Sequence, residues 1–109
     1  MADYSIEFKI RKGYYFGTFN SLFIQFGDET TQHQLTTDVD SGHIYNRIVT
    51  AKFIDRLSSI YISKPGSNKY RMEYITIRHN GILYYYELPN SWMYRHEYHM
   101  ALNALEGLI

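Results

Sequence analysis

The sequence predicts an all-β fold, an antiparallel β-sandwich, on three observations. Apolar residues recur at every second position in a series of short segments. Clusters of Gly, Pro, Asn and Asp separate those segments. Before residue 90 no stretch carries the three-and-four spacing of a helix. The chain has 109 residues, 45% of them hydrophobic, which is one domain's length with enough apolar side chains for a single core.

The first strand is read from Tyr4, Ile6, Phe8 and Ile10, which alternate with Ser5, Glu7, Lys9 and Arg11. A glycine-bounded turn follows, Gly13 to Gly17, enclosing Tyr14, Tyr15 and Phe16. Leu22, Ile24 and Phe26 mark a second strand that ends at Gly27-Asp28-Glu29, and His33 to Thr37 is a short extended stretch. Asp38 to Gly42 has turn composition, because Asp and Gly tolerate the backbone angles that turns require. Alternation resumes from Ile44 to Phe53, with Ile48 and Thr50 on one side and Val49, Ala51 and Phe53 on the other. Leu57, Ile60 and Ile62 open another strand, stopped by Lys64-Pro65-Gly66-Ser67-Asn68, since proline cannot donate to a ladder. Met72 to Arg78 and Ile82 to Leu88 flank Asn80-Gly81, the strongest hairpin signal in the chain. Only the tail differs. Tyr94, Tyr98, Ala101, Leu102, Leu105 and Leu108 fall at helical spacing, which predicts a short C-terminal α-helix over 94–108. The expected organisation is a sandwich over residues 1–93 and an amphipathic helix over 94–109, packed on the domain or on a partner.

Composition removes several function classes. With no cysteine there is no disulfide scaffold, and with apolar runs of only a few residues there is no membrane-spanning helix, which needs about 20. The opening residues lack a basic region followed by an apolar stretch, so no signal peptide is read, and a soluble chain, cytoplasmic or peripheral to a membrane, is expected. Eleven basic residues balance eleven acidic ones, which argues against nucleic acid as a partner. The balance is uneven, since residues 46–80 hold seven basic and two acidic side chains. The sequence contains no G-x-S-x-G, no H-E-x-x-H, no phosphate-cradling glycine loop and no nucleophilic cysteine, so the chain is not expected to be an enzyme.

The order of motifs resembles a PLAT domain, also called the lipoxygenase homology domain. Phe19-Asn20-Ser21-Leu22-Phe23-Ile24-Gln25-Phe26-Gly27 is similar to that family's second strand ending in glycine. Ile54-Asp55-Arg56-Leu57-Ser58-Ser59-Ile60-Tyr61-Ile62 resembles its aspartate-glycine-x-leucine-x-x-isoleucine segment. Tyr70 to Ile77 resembles a segment that commonly begins with tryptophan, and Tyr86 to Met93 its closing phenylalanine-x-x-asparagine-x-tryptophan-leucine stretch. The resemblance covers about residues 3 to 93. It implies an eight-stranded sandwich and a non-catalytic interaction module, of a family found beside lipase and lipoxygenase catalytic domains, in polycystins and in stand-alone proteins.

Three successive aromatics in a loop, Tyr14, Tyr15 and Phe16, cannot all point into a core. If they project, they resemble the loop tips by which some PLAT domains enter lipid headgroups, and they are the first candidates for membrane or partner contact. Lys52, Lys64 and Lys69 are candidates for contact with anionic lipid. Tyr98, Leu102 and Leu105, on the apolar stripe of the expected helix, are candidates for an interface, including a homodimer. Asp38-x-Asp40-x-Gly42 has the opening spacing of a calcium loop, but Gly42 and Val49 stand where further acidic ligands belong. A metal-free turn is therefore expected and no cofactor, with calcium at Asp38 and Asp40 as the alternative. His96 and His99 lie three apart on the tail with no identifiable third ligand. The function read from these residues is peripheral lipid contact through the aromatic loop. The alternatives are a protein-interaction or homodimerisation domain, and a non-catalytic domain excised from a lipase- or lipoxygenase-type enzyme.

Overall fold

The computed structural model describes residues 1–13, 21–27, 31–36, 38–63, 70–88, 98–101 and 106–108. Nine strands are formed among them: β1 (Ala2–Ile10), β2 (Leu22–Phe26), β3 (His33–Thr36), β4 (Ile44–Ala51), β5 (Ser59–Ser63), β6 (Met72–His79), β7 (Ile82–Glu87), β8 (Tyr98–Ala101) and β9 (Glu106–Leu108). They make two sheets, one of five strands ordered β4-β1-β6-β7-β9 and one of four ordered β3-β2-β5-β8. Every pairing is antiparallel.

Alternation decides which face each strand buries. In β1, Tyr4, Ile6, Phe8 and Ile10 are buried while the residues between them are exposed or half-buried. In β2 the buried set is Leu22, Ile24 and Phe26, and in β5 it is Ile60 and Ile62. These meet Val49, Ala51, Met72, Ile75, Ile77 and Tyr84 in one core between the sheets. Removing each such side chain from water contributes roughly 1.5 to 3 kcal/mol, which makes this layer the main source of stability.

Two breaks in alternation have a local cause. Met72 and Ile75 are both buried although three residues apart, because Lys9 faces Tyr74 while Ile10 faces Met72, leaving Glu73 as the extra residue of a bulge. Likewise Leu22 faces Thr36 and Phe23 faces Gln34, so Leu35 is extra on β3, and Leu35 and Thr36 are buried in succession. At the β6–β7 hairpin, Asn80 and Gly81 have φ of 54° and 73°. This is the left-handed pair that a two-residue turn of the expected type demands.

At the described residues of the tail, 98–101 and 106–108, strands stand where a helix is expected. Tyr98–Ala101 pairs with β5, Ile62 opposite Tyr98, and Glu106–Leu108 pairs with β7, Ile82 opposite Leu108. The physical reason lies in the neighbours, since β5 and β7 would otherwise present rows of unpaired backbone groups, and the tail satisfies one edge of each sheet. The strand containing Val49 and Ala51 also ends sooner than alternation suggests. β4 stops at Ala51, and Phe53 is 51% exposed rather than facing inward. Among the described residues no helix is long and apolar enough to cross a membrane.

Candidate functional site

Strand direction sorts the loops into two ends. Tyr4 stacks on Phe26 at 4.2 Å and Gly27 N–H donates to the Ser59 carbonyl. One end therefore gathers the start of β1, the exit of β2, the 52–58 segment and the Asn80-Gly81 turn. At the opposite end lie Arg11 to Gly13, Ser21, Ser63, Tyr70 and the 38–43 turn, tied together by Gly13 N–H to Ser41 Oγ at 2.8 Å and Arg11 N–H to the Arg71 carbonyl at 3.0 Å. Gly13 and Ser21 flank residues 14–20, and Ser63 and Tyr70 flank 64–69, so both segments attach at this second end.

Tyr14, Tyr15, Phe16, Lys64 and Lys69 lie outside the described residues. Lys52 is exposed, and it sits at the first end, beside Ala2 through the pairing of Ala2 with Ala51. It is thus separated from the end where the other candidates attach. Of the expected helix stripe, Tyr98 lies in β8, and Leu102 and Leu105 are outside the described residues. Asp38 and Asp40 are exposed on either side of buried Val39. Asp40 Oδ2 is 4.0 Å from His43 Nδ1, while its backbone N–H donates to the Tyr45 hydroxyl at 2.7 Å. Among the described residues no three acidic or histidine side chains converge as a metal site.

The first end is held by a polar core within the apolar one. The buried Tyr4 hydroxyl donates to the Lys52 carbonyl at 2.7 Å and accepts from Ile54 N–H at 3.1 Å. The ring of His79 stacks on Tyr4 at 4.0 Å, its Nε2 facing the Ile54 carbonyl and its Nδ1 the Asp3 carbonyl at 3.4 Å. Tyr84, also buried, accepts from Leu57 N–H at 3.1 Å. Together these side chains replace ladder partners for the 52–57 crossing, whose backbone would otherwise be unsatisfied.

The outer face of the five-stranded sheet carries a groove of about 240 Å³ across β4, β1 and β6. Register builds it from two rows: Ile48, Ser5 and Arg78, then Asn46, Glu7 and Thr76. At its rim the Tyr74 hydroxyl donates to Glu7 Oε2 at 2.7 Å, and the Tyr74 ring stacks on Tyr85 at 5.9 Å. Burial, then the hydrogen bond to Glu7 and the charges of Glu7 and Glu73, push the Tyr74 phenol up from 10.0 to about 12. Arg47 closes the flank of the sandwich. Its Nε donates to the Leu35 carbonyl and its Nη1 to the Asn46 carbonyl, both at 2.8 Å, with the guanidinium 5.7 Å from the Tyr45 ring. Polar residues of both charges line most of the groove, yet the larger part of the surface it presents is apolar.

Sequence reasoning missed this face. The signal available was an isoleucine, Ile48, sharing the water-facing parity of Asn46 and Thr50.

The two antiparallel sheets define the chain as a β-sandwich, and solved structures share this fold. A lipoxygenase variant, delta413-417:GS in complex with arachidonate, superposes with a TM-score of 0.79 at 14% identity, over 94% of this chain and 16% of the lipoxygenase. Alpha toxin from Clostridium absonum gives 0.76 at 11% identity, over 94% of this chain and 31% of the toxin. Coral 8R-lipoxygenase, described as activated by calcium through a C2-like domain, gives 0.77 at 14% identity, over 92% of this chain and 16% of that enzyme. The chain therefore spans under a third of each of these proteins and matches a small part of the lipoxygenases. No family model matches the sequence, and no curated protein does. At these identities the likeness establishes the fold.

Proposed function

We propose that the chain is a non-catalytic, PLAT-like interaction module that makes peripheral contact with lipid surfaces through Tyr14, Tyr15 and Phe16. The observation that carries the reading is the sandwich itself, matched over 94% of its length by the small part of a lipoxygenase. Support comes from the placement of the flanks. The described residues that flank the two segments, Gly13 and Ser21 for the aromatics and Ser63 and Tyr70 for Lys64 and Lys69, lie at one end, which supports a reading in which apolar insertion and attraction to anionic headgroups act together. Each aromatic transferred from water contributes roughly 1.5 to 3 kcal/mol, enough in combination for measurable binding. Lys52, at the other end, takes no part.

Flotation with anionic and neutral liposomes, with and without calcium, tests this. The expected result is that the wild-type chain floats with anionic vesicles, that the Tyr14/Tyr15/Phe16-to-serine variant stays folded and does not, and that Lys64→Glu with Lys69→Glu weakens binding while Lys52→Glu leaves it unchanged. A wild-type chain that remains with the soluble fraction under every condition removes lipid contact from consideration.

A further inference from the structure

We propose that the groove across β4, β1 and β6 is a binding site for a small zwitterion, an α-amino acid with an apolar side chain, whose carboxylate meets Arg78 and whose ammonium meets Glu7. The groove holds about 240 Å³. Sites for drug-sized ligands run from about 300 to 1,000 Å³, so this one takes a smaller molecule. Most of the surface it presents is apolar, and Ile48, which lines it, is 71% exposed.

The occupant is selected by two opposite charges that do not meet. Register sets Arg78 opposite Ser5, so Asp3 and Glu7, two residues to either side of Ser5, are the diagonal neighbours of Arg78 on one face. At that spacing a long side chain can reach either carboxylate. Each carboxylate is bonded elsewhere. Asp3 Oδ1 accepts from the Thr50 hydroxyl at 2.8 Å, and Glu7 Oε2 accepts from the Tyr74 hydroxyl at 2.7 Å. Lys9, the next outward residue of β1, pairs with Glu73 at 3.7 Å rather than with Glu7. Among the described residues the Arg78 guanidinium therefore has no hydrogen bond or ion pair, and Glu7 has no cation. Arg47, the other cation on the groove, has its Nε and Nη1 on the Leu35 and Asn46 carbonyls.

These groups define what fits. A guanidinium takes a carboxylate through two parallel N–H donors. The Glu7 carboxylate, held by the Tyr74 phenol, keeps its second oxygen for an ammonium donor. A simple anion would face Glu7 unpaired, a simple cation would face Arg78, and a wholly apolar molecule would take water from both and return no hydrogen bond. An α-amino acid carries both charges one carbon apart and leaves its side chain for the apolar surface beside Ile48. The site lies on the face of the sheet and stands whether or not the chain binds lipid.

Three probes with one apolar body separate these cases: leucine, isocaproate, which lacks the ammonium, and isopentylamine, which lacks the carboxylate. Titrated into the isotope-labelled chain and followed by amide NMR, leucine is expected to saturate and to move the signals of Ser5, Glu7 and Arg78 while those of β5, in the other sheet, stay in place. Isocaproate and isopentylamine are each expected to bind about tenfold more weakly, the loss of one charge-assisted hydrogen bond. Arg78→Gln and Glu7→Gln, with the fold checked by the same spectra, are each expected to weaken leucine by a similar factor. A chain whose signals leucine does not move overturns the proposal. So does isocaproate or isopentylamine binding as tightly as leucine, which makes the groove a site for a single charge, or a leucine affinity that both folded variants retain.

Discussion

Tyr74 places a phenol against the Glu7 carboxylate on the water-facing side of a sheet, and this gives the protein an alkaline limit of its own. The folded phenol keeps its proton to about pH 12, whereas an unfolded one releases it near 10.0. Between those values the unfolded state binds fewer protons, so stability falls as pH rises. The tyrosine's contribution is complete below 10 and lost by 12. Tyr74→Phe should flatten this part of the stability profile, measured by urea unfolding at a series of pH values between 9 and about 12. An unchanged slope would show that other groups set the alkaline limit. None of this was legible in the sequence, because Glu7 and Tyr74 are brought together by the β1–β6 register and by the bulge at Glu73. The inward residues of β1 were legible one by one, since a strict period of two with Tyr4, Ile6, Phe8 and Ile10 admits one buried face.

Among elements, the β6–β7 hairpin shows how far local chemistry reaches. Asn80-Gly81 predicts a two-residue turn, and both residues have positive φ. A Cβ at Gly81 would meet nothing within 4 Å, so the cost of Gly81→Ala is conformational alone, about 1 kcal/mol from the left-handed backbone. Thermal unfolding should show that loss, and a neutral result would mean the turn changes type. The tail marks where such local reasoning stops. Its leucines and tyrosines do fall at helical spacing, but β5 and β7 offered open ladders, and pairing outweighed a propensity of a few tenths of a kcal/mol per residue. The bulges at Glu73 and Leu35 were equally hidden, because nothing in either residue announces an extra position.

Across the whole molecule, the two tail strands each close a different sheet, and their loss should be felt beyond the tail. Removing residues 98–109 would bare β5 and β7, which pair Ile60 and Ile62 on one side and Tyr84 on the other. The shortened chain should unfold at lower denaturant and scatter light as concentration rises, through edge-to-edge association. Equal stability of the two forms would show that the tail pairing is weak. The sandwich class was legible because alternation and turns are local properties repeated along the chain. The candidate lipid-contact residues Tyr14, Tyr15 and Phe16 were legible only as an oddity of composition, and they lie outside the described residues.

The place of β1 has a consequence for how the chain is made. It sits between β4 and β6, with Ser5 facing both Ile48 and Arg78. The first of these nine strands to be translated is therefore a central one whose partners follow some 40 and 70 residues later. On the ribosome it must wait, its apolar face uncovered, until the hairpin at Asn80-Gly81 has been synthesised. Folding should then be slow for so small a domain, since distant loops must close before any contact rewards them.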